Sequence, residues 1–217
     1  MRKRYIQTAF FDLDGTLIDS GKDIIDAINW TLKKLGLEER PYEDICRYIG
    51  YGRQPLISGV LGSYATAELT ERASDIFAKR YRAHMFDNTR LFPGVLDLLN
   101  YLKDKKLMIA TNKNRGLTLK TLAHFGIDKY FQRVAGGDNA DCRKPDSCQI
   151  VSLLAEVKTP RQEAIMIGDS DIDIKSGKMA CIVTCGLTYG IGRREDLERA
   201  RPDYLLDNIF SLKEVVC

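Results

Sequence analysis

Two carboxylates, Asp12 and Asp14, follow a short apolar run, Ala9-Phe10-Phe11, within the stretch Ile6 to Ser20, IQTAFFDLDGTLIDS. Side by side they would repel each other strongly unless a cation lay between them. Such a place suits a divalent metal, and a carboxylate held there can act as a nucleophile. The run that delivers them, Ile6 to Phe11, is short, aromatic-rich and free of Gly and Pro, as a buried strand is. Alternation along a strand sends both acids off its end on the same side. Gly15 then permits the positive φ of a sharp exit turn. The same string also fits an ordinary Asp-rich turn. A calcium-hand loop is disfavoured, because Leu17 and Ile18 stand where that loop needs polar residues.

The elements that position these acids follow from the rest of the chain. Up to about residue 90 the periodicity is helical. Ile24, Ile25, Ile28, Leu32 and Leu35 share a helical face, with Gly36 as a stop. A shorter helix over Tyr42 to Tyr48 ends at the Gly-Tyr-Gly of residues 50–52. A long one over Thr66 to Met85 aligns Leu69, Ala73, Ile76, Phe77 and Tyr81. No strand is expected here, so this region reads as a helical insertion after the first strand. From Pro93 onward helix and strand alternate. Strands are expected at Leu107 to Ala110, Arg133 to Ala135, Ala164 to Ile167, Ile182 to Thr184 and Tyr204-Leu205. Helices are expected at Val95 to Leu102, Gly116 to Phe125, Gln149 to Val157 and Ile172 to Met179. This is the pattern of an α/β fold, a doubly wound parallel sheet with helices on both faces. Ligands of such sheets bind beyond the carboxyl ends of the strands.

What ends each strand is chemically suggestive. The first ends in Asp12-Leu-Asp14, the second in Thr111-Asn112-Lys113, a later one in Gly168-Asp169-Ser170-Asp171, and one loop holds Arg143-Lys144-Pro145. Phosphoryl transfer depends chiefly on charge neutralisation and positioning. Asp12 and Asp169 can supply magnesium ligands, leaving room for water and a phosphate oxygen. Asp14 is then free to protonate the leaving oxygen and later to activate water. Thr111 can donate its hydroxyl and Asn112 its amide N–H to phosphate oxygens, while Lys144 supplies positive charge. Asp173, four residues beyond Asp169, can begin the next helix and hold Lys144 or a water on the metal.

FDLDGT, TNK, RKP and GDSDID, in this order, resemble the four signature motifs of the haloacid dehalogenase superfamily, over essentially the whole chain. The resemblance implies Asp12 as nucleophile, Asp14 as acid/base with its main-chain carbonyl on magnesium, Thr111 and Lys144 at the phosphate, and Asp169 and Asp173 on the metal side. It also implies an α/β core of residues 1–17 and 89–217, with a helical cap of residues 18–88. Superfamily dehalogenases replace the second acid, and this chain keeps Asp14. DSGKDIIDAI, YIGYGR, GGD and GLTYG are similar to the phosphoglycolate phosphatases. β-Phosphoglucomutases carry a histidine in the first cap helix, where this chain has none; its histidines are His84 and His124. In the cap segment, Gly50 and Gly52 allow close backbone approach, and Arg53 offers a guanidinium suited to a carboxylate. The expectation is a magnesium-dependent phosphatase of a small phosphate ester, with 2-phosphoglycolate foremost; the alternatives are a phosphatase of pyrophosphate, nucleotides or sugar phosphates, a β-phosphoglucomutase-like phosphotransferase, and an inactive binding protein, which would be expected to lack Asp12 or Asp14. A receiver domain of two-component signalling is only about half this length and lacks the helical insertion.

The 217 residues are 44% hydrophobic and 29% charged, with a net charge of +3, an ordinary globular balance with no general pull toward nucleic acid or membrane. The basic start, Met1 to Arg4, is followed by no long apolar run, so a cytoplasmic protein, monomer or homodimer, is expected. The six cysteines, Cys46, Cys142, Cys148, Cys181, Cys185 and Cys217, form no CxxC pair and have no flanking histidines. Free thiols are expected, and a zinc site at Cys142 and Cys148 or at Cys181 and Cys185 is not.

Overall fold

The computed structural model describes residues 3–217, so the first two residues of the basic start lie outside the described residues. In chain order, strand β1 (Thr8–Phe11) and the two-residue β2 (Ile18–Asp19) precede four helices: α1 (Gly21–Lys34), α2 (Tyr42–Cys46), α3 (Arg53–Leu61) and α4 (Ala67–His84). The two-residue β3 (Arg90–Leu91) then leads into alternation: α5 (Val95–Tyr101), β4 (Lys106–Ala110), α6 (Arg115–His124), β5 (Phe131–Ala135), α7 (Cys148–Val157), β6 (Ala164–Gly168), α8 (Asp171–Met179), β7 (Val183–Leu187), α9 (Arg194–Arg199) and β8 (Tyr204–Leu206).

Six strands form one parallel sheet in the order β5-β4-β1-β6-β7-β8. β1 lies at its centre, with Phe11 opposite Ile109 of β4 and Ile167 of β6. This register sets the ends of β1, β4 and β6 side by side, so Asp12, Thr111 and Asp169 emerge at one rim. The apolar run of β1 is continuous because both of its faces are covered. Ala9 and Phe11 pack with Ile109, Ile165 and Ile167 on one side, and Phe10 packs with Met108 and Met166 on the other.

Helices α1 to α4 build a separate apolar cluster, in which Ile28, Ile45, Ile57, Leu61 and Phe77 are buried. α4 starts on Thr66, whose hydroxyl accepts from Leu69 N at 3.2 Å. This helical lobe meets the sheet through an antiparallel ribbon, β2 with β3, pairing Ile18 with Leu91 and Asp19 with Arg90. Beside the ribbon, the buried Asp23 carboxylate of α1 accepts from Thr89 Oγ1 (2.7 Å), Thr89 N (2.8 Å) and Asn88 N (3.0 Å). Entry and exit of the lobe are thereby tied together.

Two expectations need correction. The ribbon and α3 lie where the sequence predicts no strand and no helix. In addition, Cys142 and Cys148 are not free thiols: they are paired as a disulfide, with Cα atoms 5.5 Å apart. Cys46 and Cys185 are buried free thiols, and Cys181 and Cys217 exposed ones. No helix of the described residues is long and apolar enough to cross a membrane.

Candidate active site

The rim above β1, β4 and β6 gathers four buried charges. Asp12 leaves β1 with its main-chain N–H on Ile167 O (3.0 Å), which fixes its height above the sheet. Its Oδ1 lies 2.7 Å from Lys144 Nζ, an ion pair, yet that oxygen accepts no well-directed hydrogen bond. Lys144 Nζ also lies 2.6 Å from Asp173 Oδ1. The other oxygen of Asp173 accepts from Ser170 N (3.1 Å) and Ser170 Oγ (2.6 Å), closing the capping box that starts α8. Asp169 Oδ2 accepts from Ile191 N and Gly192 N, each at 2.9 Å, and its Oδ1 from Thr16 Oγ1 at 3.0 Å.

Asp14 has different partners. Its Oδ1 accepts from Ser20 Oγ at 2.6 Å and from Lys113 Nζ at 2.8 Å. Lys113 Nζ also donates to the hydroxyl of Tyr81, on α4, at 2.7 Å. The two acids thus share one cavity but not one counter-ion: Asp12 faces Lys144, and Asp14 faces Lys113.

Electrostatics follow from this burial. Desolvation pushes the Asp12 carboxyl up to about 6, with Lys144 opposing and Asp173 reinforcing. Desolvation likewise pushes Asp169 up to about 7, with Asp173 and Asp12 adding to it. Burial would lower Lys144, but Asp12 and Asp173 outweigh that and hold its pKa above the usual lysine value. One oxygen each from Asp12, Asp169 and Asp173 falls within 4.8 Å of the others. Three buried acids with one lysine, one of them with an oxygen that no hydrogen bond reaches, leave negative charge for a hard cation. All the donors are oxygens, which suits magnesium rather than zinc. The sequence set for the metal is Asp12 and Asp169 with the main-chain carbonyl of Asp14; the three close carboxylates are Asp12, Asp169 and Asp173, and the Asp14 side chain is engaged by Lys113 and Ser20.

The residues expected at the phosphate are also on this rim. Thr111 is buried, and its hydroxyl accepts from Lys113 N at 3.3 Å. The side chain of Asn112 has a task of its own. Its Oδ1 accepts from Lys144 N (2.8 Å), and its Nδ2 donates to Lys144 O (2.8 Å) and Gly50 O (3.0 Å). With both amide protons engaged, only the main-chain N–H of Asn112 is left for a phosphate oxygen. Its side chain is a clamp joining the Lys144 loop to the helical lobe. Gly50 and Gly52 both have φ of +95, which glycine adopts without strain. A Cβ on Gly52 would sit 3.6 Å from Asn112 O and 3.7 Å from Arg143 Cδ, so the lobe's loop lies directly on the core here. Arg53 opens α3 just beyond it.

A cavity of about 290 Å³ lies between lobe and sheet, bounded by Asp12, Asp14, Thr111 and Lys113 below and by Gly50, Arg53, Phe77 and Tyr81 above. The sequence reading assigned nothing to Lys113, Tyr81, Ser20 or Thr16. Tyr81 sits on the apolar face of α4 and reads there as core; its hydroxyl is the only signal of a second role. Lys113 stands in the strand-end triplet and could have been found by asking what neutralises the second acid.

The chain matches the haloacid dehalogenase-like hydrolase family over residues 9–187. It is 34% identical to a phosphoglycolate phosphatase of Aquifex aeolicus over 213 residues, 97% of each chain. With a phosphoglycolate phosphatase of Agrobacterium fabrum it shares 32% over 210 residues, 94% of this chain and 89% of the relative. Among solved structures it resembles one described as a predicted phosphoglycolate phosphatase from Haemophilus somnus, with a TM-score of 0.90, 26% identity and 97% of each chain covered.

Proposed function

The chain belongs to the haloacid dehalogenase-like hydrolases and is a phosphatase, and from that premise we propose that it hydrolyses 2-phosphoglycolate with magnesium through an aspartyl-phosphate on Asp12. Residues 18–88 serve as a cap over a core of residues 1–17 and 89–217. The observation that carries the reading is the separate pairing of the two acids: Lys144 on Asp12 at 2.7 Å, Lys113 on Asp14 at 2.8 Å. A nucleophile must stay ionised and unprotonated, whereas an acid/base must exchange a proton with the leaving group and then with water. Separate counter-ions let one carboxylate do each task.

Magnesium would be held by the carboxylates of Asp12 and Asp169 and the main-chain carbonyl of Asp14, and when bound it would neutralise charge between nucleophile and phosphate. Asp12 attacks phosphorus, and the ester oxygen leaves with a proton from Asp14. Asp14, now ionised, takes a proton from water as that water attacks the same phosphorus and frees Asp12. Lys144, Thr111 Oγ1 and the Asn112 main-chain N–H orient the phosphoryl oxygens. Asp173 keeps Lys144 in place, and the cap excludes bulk water. 2-Phosphoglycolate is favoured over the other small esters by the names of the relatives at 34% and 32% identity and by the guanidinium of Arg53 at the cavity. The test is a panel of phosphorylated small molecules with and without magnesium. Highest kcat/KM on phosphoglycolate, lost with chelator and restored by magnesium, is expected. A preference for sugar phosphates, nucleotides or pyrophosphate would overturn the substrate, and full activity without metal would overturn the cofactor.

A further inference from the structure

The charges that line the cavity do not balance. Asp12 is countered by Lys144 and Asp14 by Lys113. Asp138, the third acid there, accepts from the main-chain N–H of Arg115 (2.7 Å) and from the side chain of Asn114. Three arginines line the same cavity: Arg53 and Arg82 from the helical lobe and Arg143 from the loop that carries Lys144. Among the described residues no carboxylate lies within ion-pair distance of any of the three, although other surface arginines, such as Arg133 with Glu156, are paired. Arg143 is the most fixed of them. Its Nε donates to Gly137 O at 2.7 Å, and its stem lies against Gly52 of the lobe. That one bond orients the fork and leaves its terminal nitrogens available for a bidentate partner.

We infer that Arg143, with Arg53 and Arg82, forms a subsite for a carboxylate carried by the substrate beyond its phosphoryl group, and that Arg143 is its specificity-determining residue from the core side. This rests on the phosphatase reading and deepens it: the substrate class is a short phosphate ester of a hydroxy acid, read jointly by core and lobe. Because Arg143 comes from the core and Arg53 and Arg82 from the lobe, the subsite is complete only when the lobe lies on the core. A carboxylate held there would therefore also favour closure over the reacting phosphate.

The experiment compares kcat/KM for two matched pairs, 2-phosphoglycolate against 2-hydroxyethyl phosphate and 3-phosphoglycerate against glycerol 3-phosphate, in the wild type, Arg143→Gln, Arg82→Gln and Arg133→Gln. A charge-assisted bidentate contact predicts that the acid-to-neutral ratio falls about tenfold or more in Arg143→Gln, chiefly through KM. It should fall less in Arg82→Gln and stay unchanged in Arg133→Gln, while Arg143→Lys restores part of it. An equal loss on acid and neutral esters in Arg143→Gln would overturn the inference, since Arg143 would then only support the Lys144 loop. Should Arg143→Gln fail to fold, Arg82→Gln on its exposed helix carries the test, and an unchanged ratio there overturns the subsite. If the wild type prefers 3-phosphoglycerate to glycerol 3-phosphate but handles phosphoglycolate poorly, the proposed substrate falls and the subsite stands. A wild type indifferent to the carboxylate in both pairs overturns both.

Discussion

The floor and the roof of the cavity are built on opposite plans. On the floor, Asp12, Lys144, Asp169 and Asp173 are each less than 5% exposed, and almost every oxygen and nitrogen has a partner in the core itself. In the roof, Arg53 and Arg82 are exposed, and among the described residues no acid pairs with either. A buried charge network is costly to leave half satisfied, so most of the floor's hydrogen bonds are made within the protein before any substrate arrives, and the negative charge left over suits a cation. An exposed guanidinium costs little to leave open, so the roof can wait for its partner. The contrast separates fixed chemistry from adjustable recognition. Contacts that join the two beside the cavity include Lys113 to Tyr81, Asn112 to Gly50, and Tyr51 to Asp171.

The comparison can be broken most sharply at Asp12. Asp12→Asn keeps the shape but removes the proposed nucleophile, and kcat should fall by roughly 10⁴-fold or more. The melting temperature should hold or rise, because a neutral side chain relieves the crowding with Asp169 and Asp173. Residual turnover near the wild-type rate in purified protein would remove Asp12 from its role. Lys144→Ala is the next largest change. It strips the shared cation from two buried carboxylates, and metal-free protein should lose about 3 kcal/mol of stability, measured by denaturant unfolding. A loss under 1 kcal/mol would mean that the floor is not the tightly paired network described above.

Asp23 tests what holds roof to floor. Burial pushes its carboxyl up, but the hydrogen bonds from Thr89 and Asn88 outweigh this and hold its pKa below the ordinary value. A depressed folded pKa contributes stability above the unfolded value, and that stability is lost as pH falls through the folded one. Asp23→Ala should therefore cost about 2 kcal/mol at neutral pH, because the buried Thr89 N–H and hydroxyl are left unpaired. The difference from wild type should shrink at strongly acidic pH. A constant difference across that range would show that the carboxylate's charge does not matter to the clasp.

The metal-free floor should also respond to pH. The raised values of Asp12, about 6, and Asp169, about 7, mean that the folded floor binds protons more readily than the unfolded chain. Stability should then fall as pH rises from about 4, the ordinary carboxylate value, to about 7, with the full cost present above that. Magnesium should raise the melting temperature most at pH 8 and least at pH 5. A flat metal-free profile would contradict the mutual crowding of these acids.

The floor was legible in the sequence because its parts are local. Asp12, Thr111 and Asp169 each directly follow a strand, and an apolar run of four or five residues signals that strand without reference to anything distant. Parallel pairing then brings the ends together. The roof was less legible. Helix α3 carries Pro55 and Gly59, which lower its helical signal. In the structure Pro55 sits in the first turn, where its missing N–H is harmless, and a Cβ on Gly59 would fall 2.3 Å from the Tyr48 ring. The ribbon of Ile18-Asp19 with Arg90-Leu91 is two residues on each side, too short for any alternation to show. The pairing of Cys142 with Cys148 was missed for another reason: spacing alone does not give connectivity. It brackets Lys144, at the point where floor and roof meet.

The central claim is that Asp12 and Asp14 divide the work, so that phosphorus is attacked twice, first by Asp12 and then by water. The stereochemical course at an isotopically chiral phosphoryl group, transferred from substrate to water, tests it most directly. Two in-line displacements invert phosphorus twice, so the account predicts net retention of configuration; net inversion would mean a single direct attack by water and would contradict it.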